Sequence, residues 1–161
     1  NLKIVMIDNS VKNNVKDIEG MQNDRFEFIR HPMDGEVGMA KGFLESKSIL
    51  EAIKKSKLMK NSTHIVKVTG RYFVPNLEKE LNNITLDTDY IHQNRGNKCE
   101  IFGFKKEQAQ NILSGVSNQK KVHLERYLAK KRKSLANLHR LPKLPIDKTL
   151  MGGRNEIRTF L

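Results

Sequence analysis

Lys67, Thr69, Gly70 and Arg71 crowd the end of a short β-branched run, Ile65 to Val68, and Tyr72, Phe73 and Pro75 follow them. The run reads as a strand, and the glycine and proline behind it as turn punctuation. An arginine presents a planar fork of donors suited to phosphate, a glycine lets backbone approach a ligand, and residues two apart on a strand share a face. A second polar loop, Asp8-Asn9-Ser10, closes the apolar run Leu2 to Ile7, while Lys41-Gly42 opens a helix whose amides favour an anion, with Glu45 nearby. In an open α/β sheet ligands sit beyond the carboxyl ends of the strands, where both loops fall on this reading. The chemistry these residue types suggest is the binding of a diphosphate.

The elements needed to position them can be read in chain order. Leu2 to Ile7 predicts a buried strand, and Arg25 to Arg30, which alternates Phe26 and Phe28 with charges before His31-Pro32, predicts a second. The glycine-bearing segment "MDGEVGMAKG" leads into a helix expected from Phe43 to Leu58, where Ile49, Ala52, Ile53 and Ser56 share one face. Ile65 to Val68 follows, completing the order of a single open α/β sheet with helices packed on it. Downstream, "DTDYIHQ" and "CEIFGF" flank Asn94-Arg95-Gly96-Asn97-Lys98 and predict an antiparallel pair. A short helix from Lys106 to Leu113 is expected to close with Gly115 as a left-handed cap. A basic helix from Lys120 to Leu138 should present Leu124, Tyr127, Leu128, Leu135 and Leu138 as an apolar stripe, with its charges on the other face. "LPKLPIDKTLMGGRN" reads as a proline-punctuated exit, with Gly152-Gly153-Arg154 a second glycine-arginine element.

At 161 residues and 37% apolar composition, one domain with one core is the expectation. Cys99 is the only cysteine, so no internal disulfide can form, and no Cys/His cluster has zinc spacing. No run approaches the roughly 18 apolar residues of a membrane span, and a cytoplasmic protein is expected. Asn1 lies inside the first expected strand, so residues ahead of it are expected. The formal charge of +12 predicts attraction to a polyanion or an anionic surface. The excess is local: between Gln119 and Lys143 nine basic residues face Glu125 alone. A nucleic-acid-binding protein is the rival reading, with Lys130 to Lys133 tracking phosphates, but no stacking platform or recognised nucleic-acid motif accompanies the charge. The same helix could instead lie on an anionic membrane, where a lipid-linked acceptor would be found.

The DNS loop, "KGFLE" at a helix start, "IVKVTGRYFVPNLEKEL", "HLERYL" and the terminal "LPKLPIDKTLMGGRN" together resemble small bacterial sugar transferases that build capsular polysaccharide or lipopolysaccharide. These are related in pattern to the nucleotide-sugar-binding, GT-A type fold. The resemblance implies transfer of a sugar from a nucleotide diphosphate sugar to a growing glycan, with a non-catalytic relative as the alternative. It implies that Asp8, Asn9 and Ser10 meet the nucleotide base and ribose, with Lys41, Gly42 and Glu45 nearby. Lys67, Thr69, Gly70 and Arg71 fall where such enzymes place an Asp-x-Asp that holds a metal on the diphosphate. Here cations stand in place of carboxylates, so direct neutralisation without a metal is the expectation. A literal Asp-x-Asp at Asp87-Thr88-Asp89 is the alternative, and its oxygen ligands would take Mg²⁺ or Mn²⁺. Glu125, the lone acid of the basic helix, is the candidate base for an acceptor hydroxyl. The chain is short for such a transferase, which implies a minimal or truncated form, or one that works beside a partner.

Overall fold

The apolar runs become strands, but they do not join one sheet. The computed structural model describes residues 2–9, 18, 20–33, 38–93, 98–117, 123–150 and 157–161. In chain order its elements are β1 (Ile4–Asp8), β2 (Phe26–Arg30), α1 (Lys41–Lys55), β3 (His64–Val68), α2 (Leu77–Leu81), β4 (Tyr90–His92), β5 (Ile101–Lys105), α3 (Ala109–Leu113), α4 (Leu124–Lys131), β6 (Leu138–Arg140), β7 (Pro145–Leu150) and β8 (Ile157–Phe160). The fold is mixed α/β. Two compact units divide the chain, Asn1–Thr63 with Lys106–Tyr127 and His64–Lys105 with Leu128–Leu161.

In the first unit β1 and β2 pair in parallel, Ile4 opposite Phe26 and Asp8 opposite Arg30. The expected burial of β1 does not hold, since Ile4 is 57% and Met6 42% exposed. With β2 as its only strand partner among the described residues, β1 packs by one face, and Val5 and Ile7 are the half-buried residues of that face. Helix α1 starts at Lys41 rather than Phe43 and ends at Lys55, and Ile49 and Ala52 are buried as their spacing requires. Its end is fixed by β2: the Glu27 carboxylate accepts from Ser56 Oγ (2.5 Å) and from the amides of Lys57 and Leu58 (both 3.1 Å). Burial alone would raise the Glu27 pKa, but these donors outweigh it and hold the carboxyl below its ordinary value.

Two glycines of this unit are small for packing reasons. A Cβ on Gly42, in the first turn of α1, would stand 2.8 Å from Leu124 Cβ, and one on Gly115 would stand 2.5 Å from the Tyr127 hydroxyl. Gly115 therefore does not act as the expected left-handed cap; among the described glycines only Gly38, with φ of 89°, has a left-handed backbone. The basic helix is also shorter than its charge pattern predicts. Lys120 and Lys121 lie outside the described residues, and α4 gives way at Arg132–Ser134 to a 3-10 turn. Ser134 Oγ bonds the Lys131 carbonyl at 2.8 Å, a local competitor for helical bonding, and Leu135 is extended. Leu138, expected on the helix stripe, lies exposed in β6.

The second unit carries a four-stranded sheet in the order β3-β5-β4-β6. β3 thus lies in a sheet apart from β1 and β2 instead of completing one mixed sheet with them, and pairs antiparallel with β5, Ile65 opposite Phe104 and Lys67 opposite Phe102. A Cβ on Gly103 would lie 2.8 Å from the Ile65 carbonyl and 2.9 Å from Ile91 Cδ1, so the missing side chain lets both neighbours close on this strand. Ile101, Phe102 and Phe104 are buried on its two faces. β4 and β5 form the expected antiparallel pair, Tyr90 opposite Phe104, while most of the intervening connection, 94–97, lies outside the described residues. Within the proline-punctuated exit β7 pairs antiparallel with β8, and Pro145 occupies the first strand position, where its missing N–H matters least. Gly152-Gly153-Arg154 lies outside the described residues. Val74, Ile91, Ile101, Leu141, Leu144, Ile146 and Leu161 form the core of this unit.

The crowded glycines give a direct test. Gly42→Ala and Gly103→Ala should each destabilise the protein by about 1–3 kcal/mol through overpacking, read as a lower urea midpoint at unchanged slope. For Glu27 the sign follows from its depressed pKa: its stabilisation is present above the ordinary value of 4.5 and is lost as pH falls through the lower folded value. Glu27→Gln should therefore flatten the acid side of the stability profile and leave other pH values with a constant offset.

Candidate functional site at the end of strand β3

The residues expected to meet a nucleotide sugar divide between the two units. In the first, Asp8 ends β1 and its carbonyl accepts the His31 amide at 2.9 Å. Asn9 Nδ2 donates to Ser48 Oγ on α1 at 3.3 Å, which fastens the loop to the helix. Ser10 lies outside the described residues. Lys41 is exposed at the first position of α1, whose N-cap residue, Ala40, supplies no side-chain cap. Gly42 owes its size to Leu124, and Glu45 is half-buried one turn into the helix.

In the second unit the motif after β3 is tightly built. Lys67 and Thr69 do share a face: Lys67 Nζ donates to Thr69 Oγ1 and to the Cys99 carbonyl, both at 2.8 Å, and stands 5.5 Å from the Phe102 ring. Its ammonium is thereby engaged by the protein. Arg71 differs. It is exposed, its guanidinium lies 5.8 Å from the Tyr72 ring, and it makes no hydrogen bond or ion pair among the described residues. A Cβ on Gly70 would meet nothing within 4 Å, so open space, not chain, surrounds the turn.

Two residues that no local pattern singles out complete the cluster. The Thr69 amide donates to the Glu100 carbonyl at 2.8 Å, carrying the β3/β5 pairing one step past the strand. Glu100 Oε1 pairs with Arg158 Nη1 at 2.5 Å, with both side chains largely shielded. Arg158, from β8, also reaches the Tyr72 hydroxyl at 3.4 Å, and its guanidinium lies 5.9 Å from the Tyr72 ring. Glu100 Oε2 is buried with no hydrogen-bond partner among the described residues. Burial alone would raise the Glu100 pKa, yet the Arg158 bond, the residue's own backbone amide and the charges of Arg158 and Lys98 outweigh it and hold the carboxyl below its ordinary value. Glu100 and Arg158 are remote in sequence, so the only signal available beforehand was their residue type.

The Asp-x-Asp is spoken for by protein groups. Thr85 Oγ1 donates to Asp87 Oδ1, the Asn137 amide to Asp89 Oδ2 at 3.0 Å, and Lys105 Nζ stands 3.5 Å from Asp89 Oδ1. Among the described residues no group of three or more His, Cys, Asp or Glu is placed to hold a metal. Glu125 is half-buried in the first turn of α4 and makes no hydrogen bond or ion pair among the described residues. No protein family, curated protein or solved structure matches the chain.

The Glu100–Arg158 pair should be measurable as a coupling. A double-mutant cycle with Glu100→Gln and Arg158→Gln is expected to give about 1.5–3 kcal/mol, the range for a charged hydrogen bond. Its stabilisation is present above the ordinary glutamate value of 4.5 and disappears as pH falls through the depressed folded value. The coupling measured in acid should accordingly vanish.

Proposed function

We propose that the chain is a glycosyltransferase of GT-A-like fold that moves a sugar from a nucleotide diphosphate sugar to a growing surface glycan of capsule or lipopolysaccharide type. The observation that carries this reading is Arg71: an exposed guanidinium, unpaired among the described residues, set over Tyr72 at the carboxyl end of a strand. A phosphate fits the fork of donors such a group presents. Thr69 and Lys67 form the base of the same turn, and the order of motifs along the chain supports the same reading.

In the proposed reaction the acceptor oxygen bonds to the anomeric carbon as the bond from that carbon to the donor diphosphate breaks. The electron pair leaves with the nucleoside diphosphate, whose developing charge Arg71 meets. The acceptor proton passes to a carboxylate, for which Glu125 is proposed on its chemistry. Asp8, Asn9 and Ser10 are proposed, from the resemblance, to meet the base and ribose, with Lys41 and Glu45 nearby. A metal is not required on this reading, because a cation occupies the place of the metal-holding carboxylates. The basic run Lys130 to Lys133 is proposed to rest on an anionic membrane surface at the cytoplasmic face, beside a lipid-linked acceptor. None of the described helices is long and apolar enough to cross a membrane.

Two measurements test this. Arg71→Ala should weaken nucleoside diphosphate binding by roughly 1.5–3 kcal/mol while sparing the bare nucleoside, and Arg71→Lys should restore only part of it. EDTA should have little effect. Loss of binding with EDTA and with Asp89→Asn, but not with Arg71→Ala, would place the diphosphate on a metal instead. Replacing Lys130, Lys131, Arg132 and Lys133 by Gln should reduce binding to phosphatidylglycerol vesicles and leave nucleotide binding intact; equal loss of both rejects the division of labour.

A further inference from the structure

Large apolar side chains of the second unit stand mostly in water on and beside the β7/β8 pair. Leu150 and Ile157 face each other across the two strands and are 66% and 63% exposed. The pair before them, Thr149 opposite Arg158, is turned the other way, since Arg158 reaches inward to Tyr72 and Glu100. Strand alternation therefore sets Leu150 and Ile157 on the outer face. Phe160, on the same two strands opposite Pro145, is also exposed. Phe73, 65% exposed, flanks β7: its carbonyl accepts the Asp147 amide at 3.4 Å, while its neighbours Tyr72 and Val74 pack into the core. An exposed apolar patch with a polar rim marks a surface that meets a partner. The rim here is basic. Lys143 Nζ stands 4.0 Å from the Phe160 ring, and exposed Lys148 lies two residues before Leu150, while Asp147 is the one acid on the two strands.

We infer that the β7/β8 face inserts into an anionic bilayer: Leu150 and Ile157, with Phe73 and Phe160 beside them, enter the apolar layer while Lys143 and Lys148 meet lipid phosphates at its surface. The inference takes its membrane partner from the reading above and adds an apolar anchor within the unit that carries Lys130 to Lys133. Charge complementarity selects an anionic partner, and the aliphatic pair selects among anionic partners. Leucine and isoleucine have no π-face to stack on bases, so a nucleic acid would leave them in water. Acyl chains instead bury them, with a gain that scales with the apolar area removed from water. A second copy of the chain fits less well, because a two-fold interface sets the face against itself and brings Lys143 and Lys148 toward like charges. Lys143, whose ammonium already covers the Phe160 ring, can keep its charge among headgroups as the ring sinks below them.

The chain has no tryptophan, so Ile157→Trp introduces a single fluorescent reporter while keeping the position apolar. On vesicles of mixed phosphatidylglycerol and phosphatidylcholine its emission should shift to the blue and be quenched by phosphatidylcholine brominated on its acyl chains. Phosphatidylcholine alone should give a weaker response, because it carries no net charge to draw the basic rim. Leu150→Ser combined with Ile157→Ser should weaken binding to the mixed vesicles by about ten-fold or more, through the lost burial of both aliphatic side chains, and leave nucleoside diphosphate affinity unchanged. Both positions are exposed, so this variant is expected to fold. Tryptophan emission that neither shifts nor is quenched overturns the inference, as does vesicle binding that the serine variant leaves intact. In the second case, loss of binding on replacing Lys130 to Lys133 by Gln keeps the charge-led docking proposed above and rejects insertion alone. Loss with the serine variant but not with the Gln variant upholds insertion and rejects docking through the basic run. A blue shift with RNA and none with vesicles, or a dimer in sedimentation that the serine variant dissolves without any vesicle binding, also overturns the inference and assigns the face to that occupant.

Discussion

The pairing of β3 with β5 fixes where the β3 turn sits. β5 pairs with β3 on one side and β4 on the other, and at its centre there is no room for a Cβ beside the Ile65 carbonyl and Ile91. Burying Ile101, Phe102 and Phe104 contributes about 1.5–3 kcal/mol each by area, against about 1 kcal/mol net for each ladder hydrogen bond. Burial therefore holds the strands together, while the glycine and the bonds decide which residues face one another. The Thr69–Glu100 bond is the continuation of that register, so the turn that bears Arg71 and the backbone of Glu100 are placed by it.

Charge is abundant in this chain, but most of it is solvated and of small energetic weight. What distinguishes the second unit is where charge is withdrawn from water. Lys67 and Arg71 look equivalent in the sequence, yet one is bonded to Thr69 and Cys99 and the other is presented outward on a tyrosine. Glu100 and Arg158 form the shielded pair of the cluster, and a pair of that kind is costly to break from either side because the survivor is left charged and poorly hydrated.

Local periodicity made some of this legible. The face of α1 carrying Ile49 and Ala52, the strand before Thr69, and the β4/β5 hairpin all follow from patterns a few residues long. Partner choice does not. "HIVKV" carries no information on whether its neighbour runs parallel or antiparallel, and the antiparallel pairing with β5 is visible only in the fold. Gly115 was readable as a glycine but not as the floor under Tyr127, and the length of α4 was obscured because a basic run continues through a turn and a strand without a change in composition. Prolines near β7 masked a strand that simply begins at Pro145. Arg158 could not be linked to Glu100 because their meeting depends on β8 docking.

The division of the chain has a temporal side. The first unit needs Lys106–Tyr127 to complete it, and the second needs Leu128–Leu161. Neither is contiguous, so as the polypeptide leaves the ribosome the first sixty or so residues emerge without the segment that buries Gly42 against Leu124. Long-range closure of this kind slows folding and leaves apolar faces open during synthesis. Until residue 124 is available, the close packing at the first turn of α1 lacks its partner.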